Sequence, residues 1–231
     1  MRASRTLALK PIREFRTKKL VLAASAAFAI VAAAPAAQAI VLDPGGSGSP
    51  DLLSLGAGST LVANTGSLSF SNIAFSGTID EWVYKDTANT FGSGDLTWVI
   101  QVVNSPSSSD AIGRVTAGNF ASFMTDVGDN GGANAPDLVD RDTPGHTIGF
   151  SWAETGGLVQ GDMSDLLLID TNASRFTTGT LAVIDSQTSD LTGYEPSPVP
   201  EAATWAMMLI GFAGLGVAGY RGSGKSAAFA S

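Results

Sequence analysis

The clearest strand-like pattern of this chain is in residues 96–103, Leu-Thr-Trp-Val-Ile-Gln-Val-Val. Leucine, tryptophan, isoleucine and valine occupy the even positions, and threonine and glutamine fall among the odd ones. Successive side chains of a β-strand point to opposite faces of a sheet, so this period of two places four large apolar side chains on one face. The segment therefore predicts a strand that buries one face in a hydrophobic core.

Strand-like segments continue on both sides of this stretch, at intervals typical of all-β domains. They combine β-branched and aromatic residues with breaks of Gly, Asn, Asp and Ser. Residues 166–169 form a continuous apolar run, which indicates a strand buried on both faces. The pattern predicts an all-β domain over residues 60–188, an antiparallel β-sandwich that is jelly-roll-like. The other strand-like segments are residues 68–75, 79–84, 114–123, 148–152 and 178–184.

The segments that flank this domain lack such a pattern. Residues 40–59 are rich in Gly, Ser, Pro and Asp and predict a flexible lead-in. Residues 189–199 contain two prolines and predict an extended linker. Within the domain, residues 119–124 predict one short helix. The chain has no cysteine, so a disulfide framework and a Cys-ligated metal are excluded.

Residues 1–39 have the composition of a secretory signal peptide. Basic residues are concentrated before residue 20, and an apolar, alanine-rich stretch follows. Ala37 and Ala39 form a small-x-small cleavage site, which predicts a mature chain that begins at Ile40. We therefore expect export through the secretion translocon and cleavage by signal peptidase, with an uncleaved anchor as the alternative.

Removal of this segment changes the charge of the protein. It takes away seven of the 13 basic residues and one of the 21 acidic residues, leaving a net charge of about −14. Nucleic-acid binding requires a basic surface to neutralise phosphates, so this class of partner is excluded. An acidic exported protein instead stays soluble and is repelled by anionic surfaces.

A second apolar segment lies near the C-terminus. Residues 202–220 contain no charged residue over a length close to the ~20 residues that span a bilayer core. Val199-Pro200-Glu201 precede this segment, and the cations Arg221 and Lys225 follow it. The arrangement predicts a transmembrane helix whose basic side faces the cytoplasm.

This C-terminal region resembles the sorting signal of exosortase-processed bacterial proteins, the PEP-CTERM class in its PEPxxWA form. The resemblance covers residues 199–201, 203–208 and the Gly-Phe-Ala-Gly-Leu-Gly run at 211–216, and Ala202 stands where a second proline is usual. It implies an inner-membrane anchor, cleavage by an exosortase-like enzyme, and then a place at the cell surface or in the extracellular matrix. The sorting residues it implies are Val199, Pro200, Glu201, Trp205, Arg221 and Lys225.

The body also resembles uncharacterised β-rich domains that precede such sorting signals. The similarity lies in short motifs such as Ser76-Gly77-Thr78, 112–116 and Thr125-Asp126-Val127-Gly128. It implies a fold and a location and no activity. We expect a structural or adhesive role in an exopolysaccharide-associated envelope or biofilm, with polysaccharide as a candidate partner. Two alternatives stay open: a module that binds carbohydrate or an ice surface, and a hydrolase of matrix polysaccharide.

Few residues could carry catalysis. His146 is the single histidine and lies in a turn-like segment, and the chain has no Gly-x-Ser-x-Gly motif, so nucleophilic triads are disfavoured and we predict a protein that is not an enzyme. Aromatic residues could stack on sugar rings or fill the core. Those aromatic residues are Trp82, Tyr84, Trp98 and Trp152. Carboxylates for a hydrolase would come from Asp80, Glu81, Asp95 and Glu154.

Residues 125–142 form an acidic, glycine-rich stretch that we interpret as a loop. Asp126, Asp129, Asn130 and Asp137 supply oxygen ligands at spacings partly like those of a calcium loop. The alternative is a solvated, turn-rich loop in which Asn and Asp favour left-handed backbone positions. No other cofactor is expected, so calcium at these four residues is the one metal site that the sequence suggests.

Overall fold

The computed structural model describes residues 41–198, 206–213 and 215. Over this part of the chain the protein is mostly β, with two sheets that pack as a β-sandwich, and the predicted fold class is confirmed at this level. Residues 206–213 are helical. The strands are β1 (Ser47–Gly48), β2 (Asp51–Leu52), β3 (Thr60–Asn64), β4 (Leu68–Ser71), β5 (Ser76–Lys85), β6 (Leu96–Asn104), β7 (Arg114–Ala117), β8 (Thr125–Asp129), β9 (Leu138–Arg141), β10 (Ile148–Ser151), β11 (Leu167–Thr171), β12 (Phe176–Ile184) and β13 (Thr188–Pro196).

One sheet has six strands in the order β1-β9-β10-β7-β12-β13. The other sheet has seven strands. Six of them follow the order β2-β8-β11-β6-β5-β3, and β4 pairs with the first four residues of β5. The pairings are antiparallel except for β2, which runs parallel to β8. The hydrophobic core lies between the two sheets and extends from Leu42 to Val183.

Strand β6 confirms the prediction made from its alternating sequence. Leu96, Trp98, Ile100 and Val102 are at most 1% exposed and face the core. The outer positions Thr97 and Val99 are buried as well, because other parts of the chain cover this face of the sheet. Strand β11 is buried at all five positions: the apolar run predicts this for Leu167 to Ile169, whereas the burial of Asp170 and Thr171 was not predicted.

The predicted linker over residues 189–199 is wrong for most of its length. Strand β13 runs to Pro196 and pairs with β12 at nine consecutive positions, from Ile184↔Thr188 to Phe176↔Pro196. Leu191 and Tyr194 pack partly against the core, and this burial outweighs the proline content that suggested a linker. Since proline cannot donate to a sheet ladder, Pro196 marks the end of the strand.

The predicted flexible lead-in over residues 40–59 is also ordered where the structure describes it. Strands β1 and β2 lie in this segment and add to the two different sheets. Arg141 fixes its start: the guanidinium is 3% exposed and donates to the carbonyl oxygen of Leu42 at 3.0 Å. The amide of Leu42 in turn donates to the carbonyl of Thr125 at 2.8 Å.

The short helix predicted at residues 119–124 is absent. Asn119 and Ser122 have φ angles of 63° and 73°, which are left-handed values that interrupt a right-handed helix. The carbonyls of Phe120 and Phe123 accept hydrogen bonds from Arg141 at 2.8 and 2.9 Å. A buried arginine thus satisfies the backbone that a helix would have satisfied internally.

Several predictions lie outside the described residues. These include the signal-cleavage residues Ala37, Ala39 and Ile40, and the sorting residues Val199, Pro200, Glu201, Trp205, Arg221 and Lys225. The structure describes the predicted span 202–220 only at 206–213 and 215. No helix within the described ranges is both long and apolar enough to cross a membrane.

Candidate functional site

A polar row crosses the outer face of the seven-stranded sheet. Thr97 on β6 pairs with Asp170 on β11, and Asp170 pairs with Asp126 on β8. Directly opposed residues of antiparallel strands place their side chains on the same face. All three residues are at most 3% exposed, so two carboxyl groups and a hydroxyl are buried side by side on a face that would normally be solvated.

The connection between β5 and β6, residues 86–95, covers this row. The Thr90 amide donates to Asp170 Oδ2 at 2.9 Å, and its hydroxyl donates to Asp126 Oδ2 at 2.8 Å. Asn89 Nδ2 donates to Thr97 Oγ1 at 3.1 Å. The carboxyl groups therefore fasten a loop across the sheet.

Asp86 attaches the beginning of this connection to the lead-in. Its Oδ1 accepts hydrogen bonds from the Gly56 amide at 2.8 Å and from the Ser59 hydroxyl at 2.5 Å. Thr97 Oγ1 lies 2.6 Å from Asp170 Oδ1 and 3.2 Å from Asp86 Oδ2. A hydroxyl carries one proton, so we assign the donated bond to Asp170, the closer acceptor.

Burial controls the ionisation of these carboxyl groups. Desolvation, together with the neighbouring carboxyl groups of Asp51 and Asp170, raises the pKa of Asp126 to about 6, although the Thr90 hydroxyl opposes the shift. Desolvation also raises the pKa of Asp170. For Asp86, desolvation is opposed by donors that include Ser59, and the pKa is lowered. The row can therefore take up a proton in mildly acidic solution.

The four residues predicted to bind calcium do not converge. Asp126 and Asp129 lie in β8, within the stretch predicted as a loop, because Val127 between them belongs to the core. Asp129 Oδ1 accepts from the Gly131 amide at 2.6 Å, and Asn130 Oδ1 accepts from the Leu166 amide at 2.8 Å.

Asp137 turns toward another part of the chain. Its Oδ2 accepts from the amides of Glu154 at 2.7 Å and Thr155 at 3.0 Å. Among the described residues, no group of three or more His, Asp or Glu side chains could hold a metal ion. The structure therefore gives each predicted ligand a different hydrogen-bond partner and does not assemble them into one site.

Glu81 is an ionisable residue that lies inside the sandwich. It sits between Ile79 and Val83 on the inward face of β5 and is 0% exposed. Its Oε2 accepts from the Tyr194 amide of β13 at 2.7 Å, whereas Oε1 has no partner within the described structure. Burial raises its pKa to about 8, so the side chain is neutral at pH 7.

Glu81 lies opposite Gly193, where a Cβ atom would come within 2.5 Å of Glu81 Oε2. The glycine thus leaves the space that the carboxyl group fills. Asp80, the next residue in the strand, points to the other face, so these two carboxylates do not form a pair across a cleft. The inward position of Glu81 could have been found from the Ile-x-Glu-x-Val pattern, whereas its contact with Tyr194 could not.

The remaining residues singled out in the sequence divide between core and surface. Trp98 and Trp152 are at most 2% exposed and belong to the core. Trp82 and Tyr84 are half-buried on the outer face of the seven-stranded sheet. His146 is exposed in the loop between β9 and β10, as its turn-like surroundings predict.

Comparison of the chain with family models, with curated proteins and with solved structures finds no match.

Proposed function

We propose that this protein is an exported β-sandwich that its C-terminal apolar segment holds in the inner membrane. A signal peptide directs export, and an exosortase-like enzyme cuts near Pro200 and Glu201 and releases the body to the cell surface or matrix. Consecutive strands from β6 to β9 alternate between the two sheets, which supports the jelly-roll-like connectivity that we predict. The proposed role is structural or adhesive, within an exopolysaccharide-associated envelope.

The position of the last strand carries this proposal. Strand β13 ends at Pro196, and two residues separate it from the Val199-Pro200-Glu201 motif. The buried core lies between Leu42 and Val183, and its partly buried neighbours reach no further than Tyr194. Cleavage at the motif would leave the packed body intact, and the motif would be accessible to a processing enzyme.

Carbohydrate or ice binding is the second candidate, and one observation favours it. Thr180 on β12 pairs directly with Thr192 on β13, and both are exposed together with Thr178 on the same face of the hairpin. A threonine pair with a third threonine one pleat away is a small regular array of hydroxyl groups. Glycan-array binding or inhibition of ice recrystallisation by the wild-type protein, and its loss in Thr180→Lys, would support this candidate.

Fractionation of cells that express the chain tests the main proposal. The full chain should be recovered with the inner membrane or as a processed, exported form. A variant that lacks residues 202–231 should be exported and soluble, because the anchor is gone. Glu201→Ala serves as the matched control, since it keeps the apolar segment and should stay in the membrane uncut. Retention of the deletion variant in the membrane would contradict the proposal.

A further inference from the structure

The tether between the sandwich and the proposed membrane segment is short. Five residues, 197–201, separate Pro196 from the apolar segment 202–220. A fully extended chain advances at most ~3.6 Å per residue, so this tether reaches about 20 Å. This inference rests on the proposed function: while the apolar segment is in the membrane, the end of the sandwich where β13 terminates stays within about 20 Å of the hydrocarbon core.

A cleft of about 280 Å³ lies at that end of the sandwich. The Ser197 amide donates to the Arg175 carbonyl at 2.9 Å, and Pro196 pairs with Phe176, so the chain leaves the body beside the cleft. Apolar side chains and two cations form its walls. The lining residues are Val62, Lys85, Leu96, Ser174, Arg175 and Phe176.

Positive charge is scarce in this body, which makes the position of these two cations significant. All but two of the chain's 21 acidic residues lie between residues 41 and 198, together with four cations. Arg114 forms a two-pronged ion pair with Asp140 at 2.5 and 2.9 Å. Arg141 is buried and donates to Thr125 and to backbone carbonyls.

Lys85 and Arg175 are the other two cations, and both are exposed. Within the described structure, neither side chain has an ion pair or a hydrogen bond. The two cations that are free to meet a ligand therefore lie in one cleft, at the end of the body that the tether brings to the membrane.

Neighbouring carboxylates point elsewhere. Asp86, next to Lys85, is held by Gly56 and Ser59. Glu195, next to Pro196, accepts a hydrogen bond from Asn119 Nδ2 at 2.5 Å. Within the described structure, none of the acids beside the cleft forms an ion pair with Lys85 or Arg175.

We propose that this cleft is the membrane-docking surface of the tethered protein, with anionic phospholipid headgroups as its ligand. Lys85 and Arg175 contact headgroup phosphates, and Phe176 and Val62 approach the interfacial region. Each cation near an anionic leaflet shifts binding by about fivefold, and two shift it about 25-fold. The same leaflet repels the rest of the acidic surface, so this end of the sandwich faces the membrane. After cleavage, two cations cannot hold so acidic a body at the membrane, and it leaves.

Single-cysteine labelling of the full chain tests the proposal, because the wild-type chain has no cysteine. A fluorophore at Thr177→Cys reports on the docking end. A matched fluorophore at Ser186→Cys, exposed at the other end of the same hairpin and roughly 30 Å away at ~3.3 Å per residue, is the control. The chain is reconstituted into phosphatidylcholine vesicles with or without 30% phosphatidylglycerol, and headgroup-nitroxide lipids quench the label.

We expect strong quenching at position 177, greater with phosphatidylglycerol, and little at position 186. Lys85→Glu with Arg175→Glu should remove the dependence on anionic lipid, whereas Lys85→Arg with Arg175→Lys should keep it. Thermal melting of each variant confirms that the body is folded. Chain that floats with vesicles but shows equal quenching at the two positions, or no response to charge reversal, overturns the docking surface alone. Chain that fails to float with either vesicle overturns the membrane tether and this inference with it.

Discussion

Replacing Glu81 with glutamine should make the protein more stable at neutral and alkaline pH. In the wild type, burial raises the pKa of Glu81 from 4.5 to about 8. The folded protein therefore keeps a proton that the unfolded chain releases above pH 4.5. Glutamine cannot ionise, and its carbonyl oxygen can still accept the hydrogen bond from the Tyr194 amide that Oε2 accepts at 2.7 Å.

The magnitude follows from the two pKa values. The folded state binds more protons than the unfolded state. The contribution of Glu81 to the free energy of unfolding is therefore fully present below pH 4.5 and is lost as pH rises toward 8. Each pH unit in that window lowers the wild-type free energy of unfolding by about 1.4 kcal/mol. The difference in free energy of unfolding between Glu81→Gln and the wild type should therefore exceed its value at pH 4 by about 3 kcal/mol at pH 7 and by about 5 kcal/mol at pH 9.

Urea unfolding at pH 4, 7 and 9, followed by the fluorescence of the buried Trp98 and Trp152, measures this difference. Glu154→Gln is the control, because Glu154 is exposed in the loop after β10 and its side chain has no hydrogen bond in the described structure. Stability curves of wild type and Glu81→Gln that run parallel from pH 4 to pH 9 would show that burial does not raise the pKa of Glu81.

Three further substitutions test other parts of the fold. Arg141→Met should lower the free energy of unfolding by about 3 kcal/mol or more in urea titrations, since several buried carbonyls lose their donor. Gly77→Ala should lower the melting temperature sharply, because its Cβ would lie 2.0 Å from the Val103 carbonyl oxygen, whereas Gly48→Ala, with open space around it, should not. Asp126→Asn should flatten the pH dependence of stability between about pH 4 and the pKa of about 6. The reason is that the wild type loses stability as pH rises through that window. An unchanged pH dependence in unfolding titrations would contradict this prediction.

The strands that were predicted correctly are those whose burial follows from a local sequence pattern. Strand β6 repeats apolar residues at every second position, and β11 begins with three apolar residues, Leu167 to Ile169, so neighbouring residues alone identify both strands. Strand β8 was missed because Asp126 and Asp129 flank a single inward valine. The Asp126 carboxyl group accepts a hydrogen bond from the distant Thr90, and no local pattern reports such a partner.

The same reason explains the two flanking segments. Residues 188–196 gain their order from nine register positions against β12, and the start of the lead-in gains its order from Arg141, a residue far along the chain. Composition describes how a segment behaves alone, whereas these contacts are formed with remote residues. The prediction of a calcium site was wrong for the same reason, because spacing in the sequence does not determine the direction in which each side-chain oxygen points.

Intact-mass measurement of the mature protein from its native host, with sequencing of both ends, determines whether the chain is exported and cut at each end. We expect a chain that starts at Ile40 and ends close to Pro200 and Glu201, with the sandwich complete between them. A protein that retains Met1 and Ser231 in the cell interior would contradict export, anchoring and processing together.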